Sequence, residues 1–288
     1  MDQLLSHASD VYAYDYFGVL FVLAVLEWVL PRQPVGPAVR TRWIGNAAVA
    51  AVDLLVLRLL LPVAGVAWAA TCAARGWGLF NHLTWPRAAG VVSAVAILDV
   101  ATYAEHILFH RVPVLWRLHR THHTDHEVDF TTGFRFHPVE AILSTGSRLA
   151  VIAIFGLPAL GVLITELLLG AATFWEHANV RMPARLDRVL RLVLVTPEVH
   201  QTHHARHGSD NHSNFGNLIT GWDRLFGTYR DRPSAPLVPG VQGFDGRKHL
   251  TMPWMLAQPF LSERSVADAV THPSAPEGER AAHRIGAR

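Results

Sequence analysis

Apolar residues along this chain gather into long runs rather than alternating with polar ones. Residues 16–30 (YFGVLFVLAVLEWVL) are apolar except for Glu27. With a little flank they reach the ~20 residues that a membrane-spanning helix needs. Residues 44–70 form a second run, carrying Asp53 and Arg58. Charges at that depth are costly unless they pair or reach the interface, so both are expected to face a bundle interior. Otherwise the run is a buried amphipathic core helix. Residues 88–110 are apolar at first and polar towards their end. Residues 141–176 are broken by Gly156-Leu157-Pro158, which predicts two helices of roughly 15 to 18 residues, each about 25 Å long. That is short for a full span, so a hairpin returning to its starting side is expected.

These runs predict an all-α integral membrane protein with about four transmembrane or hairpin segments and a helical cap on one side. Asp2, Asp10 and Asp15 occupy the start, where a signal peptide would be positive, and no small-residue cleavage site follows. Arg32, Arg40 and Arg42 follow the first run, and the positive-inside rule puts that connection, and with it the cap, in the cytoplasm. A bacterial inner membrane is the expected location. Residues 184–195 (ARLDRVLRLVLV) alternate Arg with apolar residues at helical spacing, as in a helix lying in the interface or on the cap surface. Residues 1–262 read as one membrane-embedded domain. Residues 263–288 lack periodicity and are expected to be a disordered tail.

Composition narrows the class. Half of the 288 residues are hydrophobic, 17% are charged and the mean hydropathy is +0.21, against about 25% charged in soluble domains. An ordinary soluble enzyme and a disordered chain are both excluded. The net charge is +2 and Lys248 is the only lysine. No arginine cluster interleaves with aromatics, so no nucleic-acid partner is expected. Cys72 is the only cysteine, which excludes a disulfide framework, a cysteine-ligated zinc finger and an iron–sulfur cluster held by this chain alone.

Histidine is the exception: there are 18, against 23 Asp and Glu together. Eight of them form three boxes: His106 and His110; His119, His122 and His123; His200, His203 and His204. The spacings are i,i+4 and twice i,i+3,i+4, which on a helix put the imidazoles on one face. Two three-histidine boxes occur where roughly 0.07 are expected by chance at this composition. Eight imidazoles exceed the ligands of one zinc and suggest two metal ions. Imidazole suits Fe, Zn, Cu and Ni. Zinc has no redox chemistry, and two irons in a nitrogen shell fit oxygen activation better. Soluble di-iron bundles use Glu and Glu-x-x-His instead, and that pattern is absent. A metal transporter would spread its ligands along a path at mid-membrane, whereas these cluster after the third run. A membrane zinc hydrolase would need an open site and a Glu base, and there is no HExxH.

The boxes, with Asp99, Tyr103, Pro113 and Trp116, resemble the fatty acid hydroxylase/sterol desaturase superfamily of membrane di-iron oxygenases, in its bacterial sterol-desaturase-like branch. The Thr131–Glu140 stretch (TTGFRFHPVE), His177-Ala-Asn179, Asn214-Phe215-Gly216 and the Trp222–Thr228 stretch (WDRLFGT) carry the same resemblance, over about residues 95–230. One departure is Ile107, where relatives commonly carry a polar residue. The resemblance implies two iron ions held by His106, His110, His119, His122, His123, His200, His203 and His204, with His137 and His177 as further ligands. Candidates to orient those ligands are Asp99, Glu105, Glu140, Glu176, Glu198 and Asp223, because ligating histidines donate their other N–H to carboxylates or carbonyls. No other catalytic residue is assigned. The implied reaction is O2-dependent hydroxylation or desaturation of a lipid C–H bond, with the lipid entering from the bilayer. The chain has no GxGxxG motif for NAD(P) or flavin and no cysteines for iron–sulfur. Electrons are therefore expected from a ferredoxin or a cytochrome b5-type protein with its reductase.

Overall fold

A computed structural model describes residue 5 and residues 7–84, 86–206 and 208–261; the expected tail lies outside the described residues. Twelve α-helices are described: α1 (Ala8–Val29), α2 (Val39–Leu60), α3 (Gly65–Ala74), α4 (Arg87–Arg111), α5 (Pro113–His123) and α6 (Pro138–Phe155) come first. Then follow α7 (Ala159–His177), α8 (Ala184–Leu190), α9 (Pro197–His203), α10 (Gly208–Asn211), α11 (Gly221–Phe226) and α12 (Met252–Ala257). Among the described residues there is no strand, only isolated bridge pairs such as Pro31 with Val180.

Five stretches are long and apolar enough to cross a membrane: Ala8–Val29, Val39–His82, Arg87–Arg111, Pro138–Phe155 and Ala159–His177. Their outward faces are apolar, with Phe17 67%, Phe21 71% and Leu54 69% exposed. In water such a surface would be a liability; in lipid it is the solvent-facing side. The run at 44–70 is not one helix. Pro62 offers no backbone N–H and cannot continue a helix, so α2 ends at Leu60 and α3 begins at Gly65. The two helices expected over 141–176 form, but they are not short of a span: Pro138–Phe155 has 18 residues and Ala159–His177 has 19, each enough to cross. Gly156 ends α6 at φ +64°, a left-handed conformation that glycine adopts without a Cβ clash, and Pro158 precedes α7.

α7 is the central element, packing against α1, α3, α4 and α9. Ala69, Ala94, Leu98, Ile152, Leu157 and Leu163 make the main apolar core at the end of the bundle away from the cap. The arginines used to read orientation are partly committed. Arg42, 2% exposed, pairs with Asp125 at 3.0 Å and with Asp129; Arg32 pairs with Glu198 at 2.9 Å. Burial pushes the Asp125 carboxyl up, but Arg42 and Arg135 outweigh it and hold Asp125 below its ordinary value. Arg135, fully buried, donates to Thr121 O at 2.8 Å, Asn46 Oδ1 at 3.1 Å and His249 O at 2.9 Å. This network fixes the start of α2 to the segment after α5. At the end of α8 Arg191 turns inward to pair with Asp187, while Arg185 and Arg188 are exposed. Leu186, Val189, Leu192 and Val193 are exposed, which fits a helix lying in the interface.

Arg42→Leu strands Asp125 and Asp129 in the interior, and losing one partner of a buried ion pair costs about 3–5 kcal/mol. Thermal unfolding in detergent should show that loss, while exposed Arg40→Leu should stay within about 0.5 kcal/mol of wild type. Equal stability of the two variants would remove the network from the account of the fold.

Candidate metal centre

The box helices begin alike: Pro113 opens α5 and Pro197 opens α9, each at a first-turn position that needs no N–H donor. They bring nine histidines into two groups. His106, His110, His119, His123 and His203 form one; His122, His177, His200 and His204 form the other. Within each group one ring nitrogen per histidine lies within 4.8 Å of all the others. All nine are buried except His106, which is half-buried.

Each three-histidine box is divided between the groups. At 100° per residue, i+4 lies about 40° to one side of i and i+3 about 60° to the other. His119 and His123 therefore share the five-membered group and His122 turns to its neighbour. The second box works in the opposite sense: His200 and His204 share the four-membered group and His203 crosses over. The groups touch, with the His123 and His204 rings stacked at 4.4 Å. His106 and His110 of α4 complete one group, and His177 at the end of α7 completes the other.

The tautomers are set from outside. His106 Nδ1 lies 2.9 Å from Phe215 O, His203 Nδ1 2.7 Å from Ser213 O and His177 Nδ1 2.5 Å from Thr173 O. A carbonyl only accepts, so each Nδ1 is the N–H donor and each Nε2 carries a bare lone pair. His119 Nδ1 is held the same way by Glu140 Oε1 at 2.6 Å. In the five-membered group, Nε2 of His106, His110, His119, His123 and His203 is buried with no hydrogen-bond partner. In the four-membered group, Nε2 of His177 lies 3.0 Å from that of His122 and 3.1 Å from those of His200 and His204. Nitrogens around one ion with bonds of about 2.1 Å stand about 3.0 Å apart at octahedral and 3.4 Å at tetrahedral edges. Converging lone pairs repel unless a cation lies among them, so this donor set fits a metal ion in each group. Burial, reinforced by the neighbouring rings, pushes His122, His123, His200, His203 and His204 well below their ordinary values. Burial likewise lowers His119 to about 3. At neutral pH the rings are uncharged and free to coordinate.

The remaining expected site residues fall in different places. His137 joins neither group. It caps α6 by accepting from the Val139 N–H at 3.2 Å, and its Nε2 faces Leu256 O at 3.3 Å. Both ring nitrogens are used, which leaves no lone pair for a metal. Glu176 lies 3.6 Å from His200 Nδ1 and 3.9 Å from His177 Nδ1. Asp223 acts through a loop: it accepts from the N–H groups of Phe215 and Gly216, both at 2.8 Å, and so aims the Phe215 carbonyl at His106. Burial pushes its carboxyl up. Asp99 holds Trp222 Nε1 at 2.7 Å, tying α11 to α4. Glu105 lines the cavity below the histidines. Glu198 is committed to Arg32 and touches no ligand histidine among its hydrogen bonds.

Some contributors were not among the expected site residues. The carbonyls of Thr173, Ser213 and Phe215 orient ligands, yet any residue has a carbonyl. Asn211 Nδ2 lies 3.1 Å from both His123 Nδ1 and the His203 carbonyl. Asn214 stands at φ +54°, locked by its side chain to Val199 O at 3.0 Å and Arg230 O at 2.9 Å.

The division of the boxes has a measurable consequence. His177→Ala should weaken metal binding in the four-histidine group and His110→Ala in the five-histidine group. Each should lower bound metal from two ions per chain towards one, read by elemental analysis of purified protein. Loss of both ions from either variant would mean a single shared site.

Comparison with known proteins fits the geometry. Residues 91–228 match the fatty acid hydroxylase family. The chain is 30% identical over 182 residues to ornithine lipid hydroxylase OlsE of Rhizobium tropici, covering 61% of this chain and 52% of that protein. It is 29% identical over 153 residues to the alkylglycerol monooxygenase of Homo sapiens, covering 52% and 33%. It is 32% identical over 155 residues to fatty acid hydroxylase vlmA of Lecanicillium sp, covering 47% and 40%. The chain thus spans about half or less of the length of these relatives. No solved structure matches. The matched segment contains every histidine of both groups, and on these grounds residues 91–228 of this membrane protein form a segment of the fatty acid hydroxylase family.

Proposed function

We propose that this chain is a membrane-bound, oxygen-dependent oxidoreductase that hydroxylates or desaturates a lipid at an unactivated C–H bond. The observation that carries the reading is the convergence of nine imidazoles on two adjacent points, with most of their Nε2 lone pairs otherwise unused. The names of the relatives, hydroxylases and monooxygenases of lipids, support the same reaction class. Two iron ions suit a shell of neutral nitrogens, and they would supply the redox chemistry with O2.

The chain's own residues have separable tasks. His106, His110, His119, His123 and His203 hold one ion, and His122, His177, His200 and His204 the other. Glu140 and Glu176 bring negative charge beside neutral ligands, and Asp223 keeps the Phe215 carbonyl in place. A cavity of about 520 Å³ lies under the centre, lined by His106, His119, His122, His177 and His200. Leu57, Leu98, Phe134 and Phe174 give it an apolar stretch of wall, which suits hydrocarbon and keeps water from the reacting carbon. The exposed Ser147 on α6 also lines it, so a lipid can enter sideways from the bilayer.

With Cys72 as the only cysteine and no dinucleotide motif, electrons come from a separate protein, a ferredoxin or a cytochrome b5-type donor with its reductase. The cap faces the cytoplasm, where such donors are found. Exposed Arg40, Arg185 and Arg188 near the cap-side helix ends support that orientation.

Lipid mass spectrometry of cells with and without the chain, with His122→Ala as control, tests the reading. A lipid gaining one oxygen, or losing two hydrogens, only with the intact chain is the expected result. Identical lipids in all three, or tightly held zinc and no reductant-dependent oxygen uptake by the purified protein, would overturn it.

A further inference from the structure

The cavity under the histidines carries charges that the metal centre does not use. On α7 its wall runs from His177 back to Glu166, eleven residues or about 17 Å of helix. Five carboxylates line it, Asp53, Glu105, Glu140, Glu166 and Glu176, against one guanidinium, that of Arg148. Three of the five are committed. Glu140 holds His119 at 2.6 Å and Glu176 lies 3.6 Å from His200. Glu166 accepts from the Tyr12 hydroxyl and faces Arg148 at 3.8 Å.

Asp53 differs from these. It sits within α2, 9% exposed, and its Oδ1 is buried with no hydrogen-bond partner among the described residues. An ionisable side chain inside a spanning helix is costly unless something neutralises it, and such residues mark substrate or ion sites. Glu105, on α4, adds a second carboxylate to the same wall. Among the described residues the one cation of that wall is Arg148, paired to Glu166. What the wall lacks is a mobile positive charge with hydrogen-bond donors.

We propose that Asp53 recognises the ammonium group of an amine-bearing lipid, which enters this cavity with its head group included. The proposal rests on the lipid-oxygenase reading and narrows its substrate class. Asp53 and Glu140 line the same cavity, and Glu140 is bonded to His119. An ammonium on Asp53 therefore lies in the same cavity as the metal-binding histidines, which brings the head-group end of the lipid into the chamber under the centre. Glu105 reinforces the attraction, and Leu57, Leu98 and Leu169 cover the adjoining methylenes.

The test uses the full metal-loaded chain in neutral detergent and two probes of equal chain length, tetradecylamine and N-acetyltetradecylamine. Only the first carries a charge at neutral pH. A charge-assisted hydrogen bond at a buried carboxylate predicts that wild type binds the amine about tenfold tighter than the amide. Asp53→Asn should bring the two within about twofold, and Asp53→Glu should keep the preference. Equal binding of both probes by wild type overturns the proposal, and that comparison needs no variant to fold. A preference that survives Asp53→Asn, in protein with undiminished metal content, also overturns it. Metal content and reductant-dependent oxygen uptake are read on the same preparations. Normal values without an amine preference sink this inference alone; their absence sinks the oxygenase reading.

Discussion

Nitrogen lone pairs forced towards common points are the constraint on which the rest of this protein depends. Nine imidazoles cannot be buried with unpaired acceptors facing one another unless a cation neutralises them. The surroundings prevent the rings from turning away. Backbone carbonyls of Thr173, Ser213 and Phe215 take the Nδ1 protons of three of them, and Glu140 takes a fourth. The fold supplies that outer layer at some cost: a left-handed Asn214, a buried Asp223 and the buried arginines of the cap.

The arrangement joins two solvents. The bundle offers apolar side chains to lipid, and the cap holds its polar groups in closed networks. The histidines stand at the junction, at the last turns of α4 and α7 and on the short helices α5 and α9. Spanning helices fix one set of ligands and cap helices the other, so the centre forms only when bundle and cap are docked. Arg42 is the fastener on the α2 side, buried against Asp125 and Asp129. Ligand geometry and membrane insertion are therefore coupled through the same packing.

Much of this was legible in the sequence. Apolar runs located the spanning helices because lipid imposes both length and composition on them. Gly156-Leu157-Pro158 marked the turn between α6 and α7, and the box spacings marked histidines that converge. The break between α2 and α3 was present in Pro62 but hidden inside a continuous apolar run. His177 was reached only through resemblance to a family, since it stands alone in its segment. His137 shows the limit of that route: its ring closes the start of α6 and leaves no nitrogen for a metal. The division of each box between two groups was not visible, because i,i+3,i+4 spacing fixes a helix face and says nothing of how many ions that face meets. Oriented carbonyls were invisible for a simpler reason, since they belong to the backbone. Arg42 read as a topological signal when its charge is spent inside the protein, and only tertiary contacts reveal that.

X-ray absorption at the metal edge of the purified, metal-loaded chain tests the central claim most directly. The account predicts two ions per chain, each in a shell dominated by imidazole nitrogen at about 2.1 Å, with a second metal visible as a nearby scatterer. A single ion per chain, or a shell dominated by carboxylate oxygen, would contradict it.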